Sequence, residues 1–345
     1  MKKILLLIIT LFLSAQTINA QTVVLDANGI TVKWTGNGGV ITPYFVQANP
    51  RGTMEWFAIV DDYALPLVKS SANDTQLAIN YFTPPGSSTP VPFDNIVTTL
   101  VTDMRYLFNA SAFNQPIGSW DVSNVTNMSA MFYDVNSSGF NQPIGSWNVS
   151  NVTDMSFMFS GATAFNQPIG AWNVGNVTNM QAMFQGSLAF NQPIGSWNVM
   201  NVTNMSAMLS GATAFNQPIG SWNVMNVTDM SAMLQGTSVF NENIGSWNVS
   251  NVTYMDNMFG SSLSFNQPIG SWNVSNVTNM SSMFYGCLAF NQNIGSWNVS
   301  NVTDMSLMFL GATAFNQPIG SWNVSNVTNM NLMFVELLPL SGRIN

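Results

Sequence analysis

From Phe113 to Phe334 the apolar positions return on a fixed beat. In the unit that opens at Phe165 they are Phe165, Ile169, Trp172, Val174, Val177, Met180, Met183 and Phe184, with Asn, Gln, Ser, Thr and Gly between them. Nine near-copies carry this pattern, the last reading FNQPIGSWNVSNVTNMNLMF (315–334). Trp147, Trp172, Trp197, Trp222, Trp247, Trp272, Trp297 and Trp322 are each 25 residues apart. Trp120 stands 27 before Trp147, because MFYDVNSSGF carries two residues more than MFSGATAF, which marks a loop. A period between about 20 and 50 residues is the signature of a stacked array. One unit cannot close its own core, so its neighbours must cover both flanks.

Within a unit the pattern predicts one extended piece and one tight turn. Trp172 and Val174 share a face if the piece is a strand, because strand side chains alternate. Met180, Met183 and Phe184 are spaced three and four apart, as on a turn of α- or 3-10 helix. The expected fold class is an α/β repeat solenoid, with short parallel strands on one face and short helical or 3-10 turns. Trp172 and its equivalents admit two orientations in strands stacked about 4.8 Å apart: inward as a core stack, which the face shared with Val174 favours, or outward as an aromatic track for sugar rings. The inward one sets the residue after each tryptophan toward solvent. That row is Asp121, Asn148, Asn173, Asn198, Asn223, Asn248, Asn273, Asn298 and Asn323, the candidate binding face. Its sameness suits a repetitive ligand such as a glycan, or a spacer with no ligand. The stretches YDVNSSG, QGSLA, QGTSV and GSSLS vary from unit to unit and are where protein partners would bind.

The ends do not follow the beat. Residues 1–20, MKKILLLIITLFLSAQTINA, join Lys2 and Lys3 to an apolar run from Ile4 to Leu13 and end on Ala20. This reads as a secretory signal cut before Gln21, although Ile18 departs from the small residue expected there. The run is too short for a lasting bilayer span, so no transmembrane span is expected in the mature chain. Residues 21–98 read as an N-terminal β cap and linker. VVLDANGITVKW gives two strands around Asn28-Gly29, a strong hairpin signal. FTPPGSSTPVPF (82–93) has the composition of a connection. The array itself is expected over 99–334, beginning half-formed at LVTDMRYLF (100–108). Residues 335–345 remain as a tail or truncated cap. There LPLSG (338–342) has the look of a cell-wall sorting signal with Ser341 for Thr, but only Arg343, Ile344 and Asn345 follow it.

Composition narrows the chemistry. Of 345 residues 6% are charged, histidine is absent and the formal net charge is −8. From Phe113 to Phe334 there is no Lys or Arg against seven acids, namely Asp121, Asp134, Asp154, Asp229, Glu242, Asp256 and Asp304. Phosphate backbones need clustered cations, so nucleic acid is excluded as a partner. Without histidine there is no Ser-His-Asp or Cys-His nucleophile and no imidazole metal ligand. No glycine-rich phosphate loop is present either. The expectation is a non-enzyme with no catalytic residue, metal or cofactor. Asp154, Asp229 and Asp304 share one repeat position three coils apart, which is roughly 14 Å at the strand spacing. That is too far for one calcium ion or a glycosidase pair. Cys287 is the single cysteine, standing where sister units have Ala162, Ala212 or Ala312, and reads as a small buried residue. Asn-Val-Thr at Asn151, Asn176, Asn201 and Asn226 matches a glycan acceptor. Its phase with the repeat points instead to an asparagine ladder between coils.

The stretch IGSWNVSNVTNMSSMFYGCLAFN (269–291) resembles the bacterial surface-protein repeat of about 26 residues, related to the BspA-like leucine-rich repeats, and the resemblance runs from about Leu100 to Phe334. It implies a leucine-rich-repeat-like solenoid, a secreted or cell-surface location, and a role in adhesion or in binding glycans or surface proteins of host or neighbouring cells. A passive stalk or surface-layer component is the alternative, and the threonine rows exemplified by Thr153 leave an ice-binding array as a third reading.

Overall fold

The computed structural model describes residues 22–36, 43–73, 81–135 and 139–334. The expected signal at 1–20 and the LPLSG tail lie outside the described residues.

The first part of the chain builds a head of two small sheets. β1 (Val23–Leu25) and β2 (Val32–Trp34) pair antiparallel. Their turn is held by Asn28 Oδ1, which accepts from the Ile30 and Thr31 amides. Gly29 there has φ 69°, a left-handed value that glycine adopts freely. In the second sheet β4 (Glu55–Asp61) is central, antiparallel to β3 (Tyr44–Ala48) and parallel to β5 (Ile96–Leu100). A parallel pair needs a long crossover, and this one carries the helix α1 (Leu65–Asn73). Ala58, Val60 and Val68 fill the interior between sheet and helix, and Phe57 and Ile59 on the other face pack with Val23, Val32 and Trp34.

From Val101 onward the repeat units stack. Thr178 N donates to Thr153 O of the preceding unit at 2.9 Å. Met180, Ala182, Phe184 and Gly186 then donate in turn to Asn204, Ser206, Met208 and Ser210 of the following unit, at 2.7 to 3.0 Å. Every second amide therefore points along the stack, as in a sheet. Parallel bridges run through a single residue per unit, Asp103 to Asn127 to Asp154 and onward to Asn329.

Two expected elements are replaced. Over the described repeat residues there is no continuous strand and no helical or 3-10 segment; the chain is a series of tight turns joined by bridges. The Trp172 amide is spent within its own coil on Ile169 O, and Val177 N on Val174 O, so the tryptophan segment forms no ladder. The bridging row lies instead at Asp154, Asn179 and their equivalents. In the Met180 to Phe184 stretch, Met183 N closes a turn on Met180 O. Ala182 has φ 50°, which breaks helical geometry. The same left-handed place recurs at Ala207, Ala232, Asn257 and Ser282. A non-glycine residue there is strained by about 1–3 kcal/mol, and inter-coil hydrogen bonds on both neighbours hold it.

The interior consists of files of identical side chains. Trp147 and Trp172 stack with ring centroids 6.4 Å apart and planes 3° from parallel. Phe165 and Phe190 stack at 6.2 Å. Each tryptophan is buried, and its indole N–H reaches back a coil: Trp172 Nε1 donates to Ile144 O at 3.2 Å. This supplies the acceptor that a buried indole requires. One neighbouring file is polar, with Thr237, Ser262 and Cys287 fully buried in successive coils. Thr237 Oγ1 donates to Leu234 O, Ser262 Oγ lies 3.2 Å from Thr237 Oγ1, and Cys287 Sγ donates to Phe259 O.

The head covers the first coil. Trp120 Nε1 donates to Phe93 O at 2.8 Å, Ser119 Oγ to Asp94 O at 2.7 Å, and Val32 N to Ser119 O at 2.8 Å.

Candidate functional site

The row after the tryptophans is exposed from Asn148 through Asn323, and from Asn148 through Asn298 each asparagine lies between buried neighbours. Its geometry is uniform. The Oδ1 atom accepts the amide two residues on, as in Asn173 to Gly175 N at 3.1 Å and Asn198 to Met200 N at 3.2 Å. Such Asx turns fix the side chain without a partner coil. None of the Nδ2 groups of Asn148, Asn173, Asn198, Asn223, Asn248, Asn273, Asn298 or Asn323 donates to another group of the chain among the described residues. One free amide donor per coil results.

Asp121 does not belong to that face. It is 2% exposed, because β2 and β5 of the head lie over the first coil. Thr98 Oγ1 donates to its main-chain oxygen and its Oδ1 accepts from Ser123 N, while Oδ2 is buried without a partner. The sequence register is right for this residue, and the head removes it from solvent.

The Asn-Val-Thr asparagines form the expected ladder. Asn176 Nδ2 donates to Ser150 O at 2.7 Å and Asn201 Nδ2 to Gly175 O at 2.7 Å, and the bond recurs through Asn326. The nitrogen a glycan would occupy is thus already bound to the preceding coil. The threonines repeat the motif: Thr178 Oγ1 donates to Thr153 O at 3.2 Å.

Asp154, Asp229 and Asp304 use Oδ1 to accept from the amides of Ser156, Ser231 and Ser306. Among the described residues no three His, Cys, Asp or Glu side chains are placed to hold a metal ion. Burial would raise the Asp304 carboxyl, but hydrogen bonds from Ser306 and Asn329 outweigh it and hold the group below its ordinary value. Asp256, which stands where most units have serine, is the reverse. Burial, helped by the Asp229 and Asp304 charges, raises it above its ordinary 3.8. A carboxyl raised on folding stabilises when protonated. Its contribution is whole below 3.8 and is lost as pH climbs through the raised value. Asp256→Asn is therefore expected to raise the urea midpoint at pH 7 and to leave it nearly unchanged at pH 3, measured by denaturation at both values.

Burial also pushes the Cys287 thiol up to about 12, so at neutral pH it is a weak donor and an inert nucleophile.

A groove of about 520 Å³ crosses the QPIGS turns of two coils and the ENIGS turn of the next, lined by Pro193, Ser196, Pro218, Ser221, Glu242 and Asn243. Sequence reasoning groups Glu242 with the other acids. Its signal is its departure from the unit, since the sister position carries glutamine.

A family profile described as "Mycoplasma protein of unknown function, DUF285" matches the chain three times in tandem, over residues 82–192, 165–272 and 238–345. No curated protein matches, nor does any solved structure. Among the described residues no helix is long and apolar enough to cross a membrane.

Proposed function

Because the chain belongs to the DUF285 family of Mycoplasma proteins of unknown function, we propose that it is an exported, non-catalytic repeat protein that binds surfaces through repetitive ligands. Within that family we place it with the BspA-like surface proteins and read the stack as a leucine-rich-repeat-like solenoid. The observation that carries the reading is the row from Asn148 to Asn323, exposed in every coil with its Nδ2 donors unused. A file of identical donors, one per coil, matches a polymer that repeats its acceptors, and a polysaccharide is the ligand class with that chemistry. The scarcity of cations and the missing histidine fit the same role, because neither phosphate capture nor acid–base work is served.

The test is a glycan array and a cell-adhesion assay on residues 21–345 and on the variant Asn198→Asp with Asn223→Asp. Aspartate preserves the turn, as Asp121 does with Ser123 N, and removes the donor. Saturable glycan binding that the variant loses is the expected result. Ordered self-assembly with no binding to any surface would favour the passive stalk and defeat the proposal.

A further inference from the structure

Along one edge of the stack a glutamine in each of several units ties its coil to the preceding one. Gln192 Nε2 donates to Asn166 O and Oδ1, both at 2.9 Å, and Gln267 Nε2 to Asn241 O and Oδ1 at 2.8 and 3.0 Å. Gln292 and Gln317 do the same with Asn266 and Asn291. At Glu242 this amide is a carboxylate, which accepts and cannot donate at neutral pH. The preceding Asn216 keeps its main-chain oxygen and Oδ1, the latter accepting from Asn241 N at 3.0 Å, but receives no side-chain donor from the next coil. Asn243, following Glu242, stands where most units have proline, and its Oδ1 is turned to Gly245 N. Glu242 and Asn243 line the groove of about 520 Å³ together with the exposed Pro193 and Pro218.

We infer that the Glu242 and Asn216 notch binds the lysine side chain of a partner protein. The sister coils show what nitrogen position the acceptors are built for: one within 2.8 to 3.1 Å of both asparagine oxygens. A primary ammonium supplies three donors on one nitrogen, enough for two such oxygens and a carboxylate. Calcium bonds oxygens at about 2.3–2.6 Å and gathers six to eight of them, so a single carboxylate beside two longer-range acceptors fits it poorly. The methylene stem of lysine would lie over Pro218 and Pro193, burying apolar length while the charge reaches Glu242. The groove has no aromatic side chain on which a sugar ring could stack. From Phe113 to Phe334 the chain has no Lys or Arg, so no cation of the coils themselves fills the notch. This site is separate from the asparagine row, and glycan binding by that row neither requires nor precludes it.

The experiment titrates the labelled full-length protein with the peptide acetyl-Gly-Lys-Gly-amide and follows amide shifts by NMR, with glucosamine and calcium chloride as parallel arms. Saturable shifts at Gly220, Ser221 and Asn243 are expected with the peptide. In Glu242→Gln the apparent affinity should fall by about tenfold or more. That variant restores the glutamine of the sister coils, so its thermal midpoint should equal or exceed that of the parent, which separates lost binding from lost folding. Absent shifts, equal shifts in Glu242→Gln, or stronger shifts with calcium or glucosamine than with the peptide would overturn the inference.

Discussion

Replacing Gly195 with alanine is expected to split the stack. A Cβ at that position would lie 2.2 Å from Pro218 O and 3.4 Å from its carbonyl carbon, atoms of the next coil's backbone. Real contacts of that kind do not occur, and a main-chain carbonyl cannot rotate away as a side chain can. Overpacking costs about 1–3 kcal/mol where side chains can adjust, so the loss here should be about 3 kcal/mol or more. Gly320 occupies the same place in the last described coil, and nothing lies within 4 Å of where an added methyl would sit. Gly320→Ala should therefore shift stability by less than about 0.5 kcal/mol. Paired urea denaturation of the two variants, read by near-ultraviolet circular dichroism, isolates coil-to-coil contact from the intrinsic effect of adding a methyl group. Equal effects would mean that these glycines serve their own turns and not the stack.

Trp197→Ala carries the second large effect. Trp197 is 3% exposed, and its Nε1 donates to Ile169 O at 3.2 Å. Its ring also packs against Phe184, centroids 6.3 Å apart. Large aromatic deletions from a core cost about 3–5 kcal/mol, and Ile169 O, left with the Trp172 amide alone, loses one of its two donors. Trp197→Phe keeps much of the volume and loses the N–H, while Ile169 O keeps the Trp172 amide, so it should cost about 0.5–1.5 kcal/mol, the net worth of one hydrogen bond. Thermal unfolding followed at several wavelengths would rank parent, Phe and Ala in that order. In an array bound by nearest-neighbour contacts the damage should centre on the coils flanking Trp197. A loss below about 1 kcal/mol for Trp197→Ala would mean that the indole is not part of a closed core.

The periodicity of the sequence carries the burial pattern but not the backbone path. Trp172, Asn173 and Val174 alternate in, out and in as their types require. Alternation of burial is a property of side-chain direction, however, and turns that close on Ile169 O and Val174 O achieve it without a strand. The spacing of Met180, Met183 and Phe184 is shared by a helical turn and by a turn broken at a left-handed residue. Alanine at position 182 gives no warning of φ 50°, because that conformation is imposed by hydrogen bonds to coils on either side. The asparagine ladder is legible because its cause is local and repeated: one amide per coil facing one carbonyl per coil. Asp121 escapes the pattern because its burial depends on β2 and β5, brought to it by tertiary packing that no local signal announces. Glu242 and Asp256 stand out only when a unit is compared with its sisters and the missing bond is sought in space.

The stack itself is tested most directly by native-state hydrogen exchange on the full chain. Met180, Ala182 and Phe184 donate their amides to the next coil, whereas no described coil follows Leu332 and Phe334. The predicted result is slow exchange at Met180, Ala182 and Phe184, recurring every 25 residues, beside fast exchange at Leu332 and Phe334. Exchange at Met180, Ala182 and Phe184 as fast as at Leu332 would contradict coil-on-coil stacking.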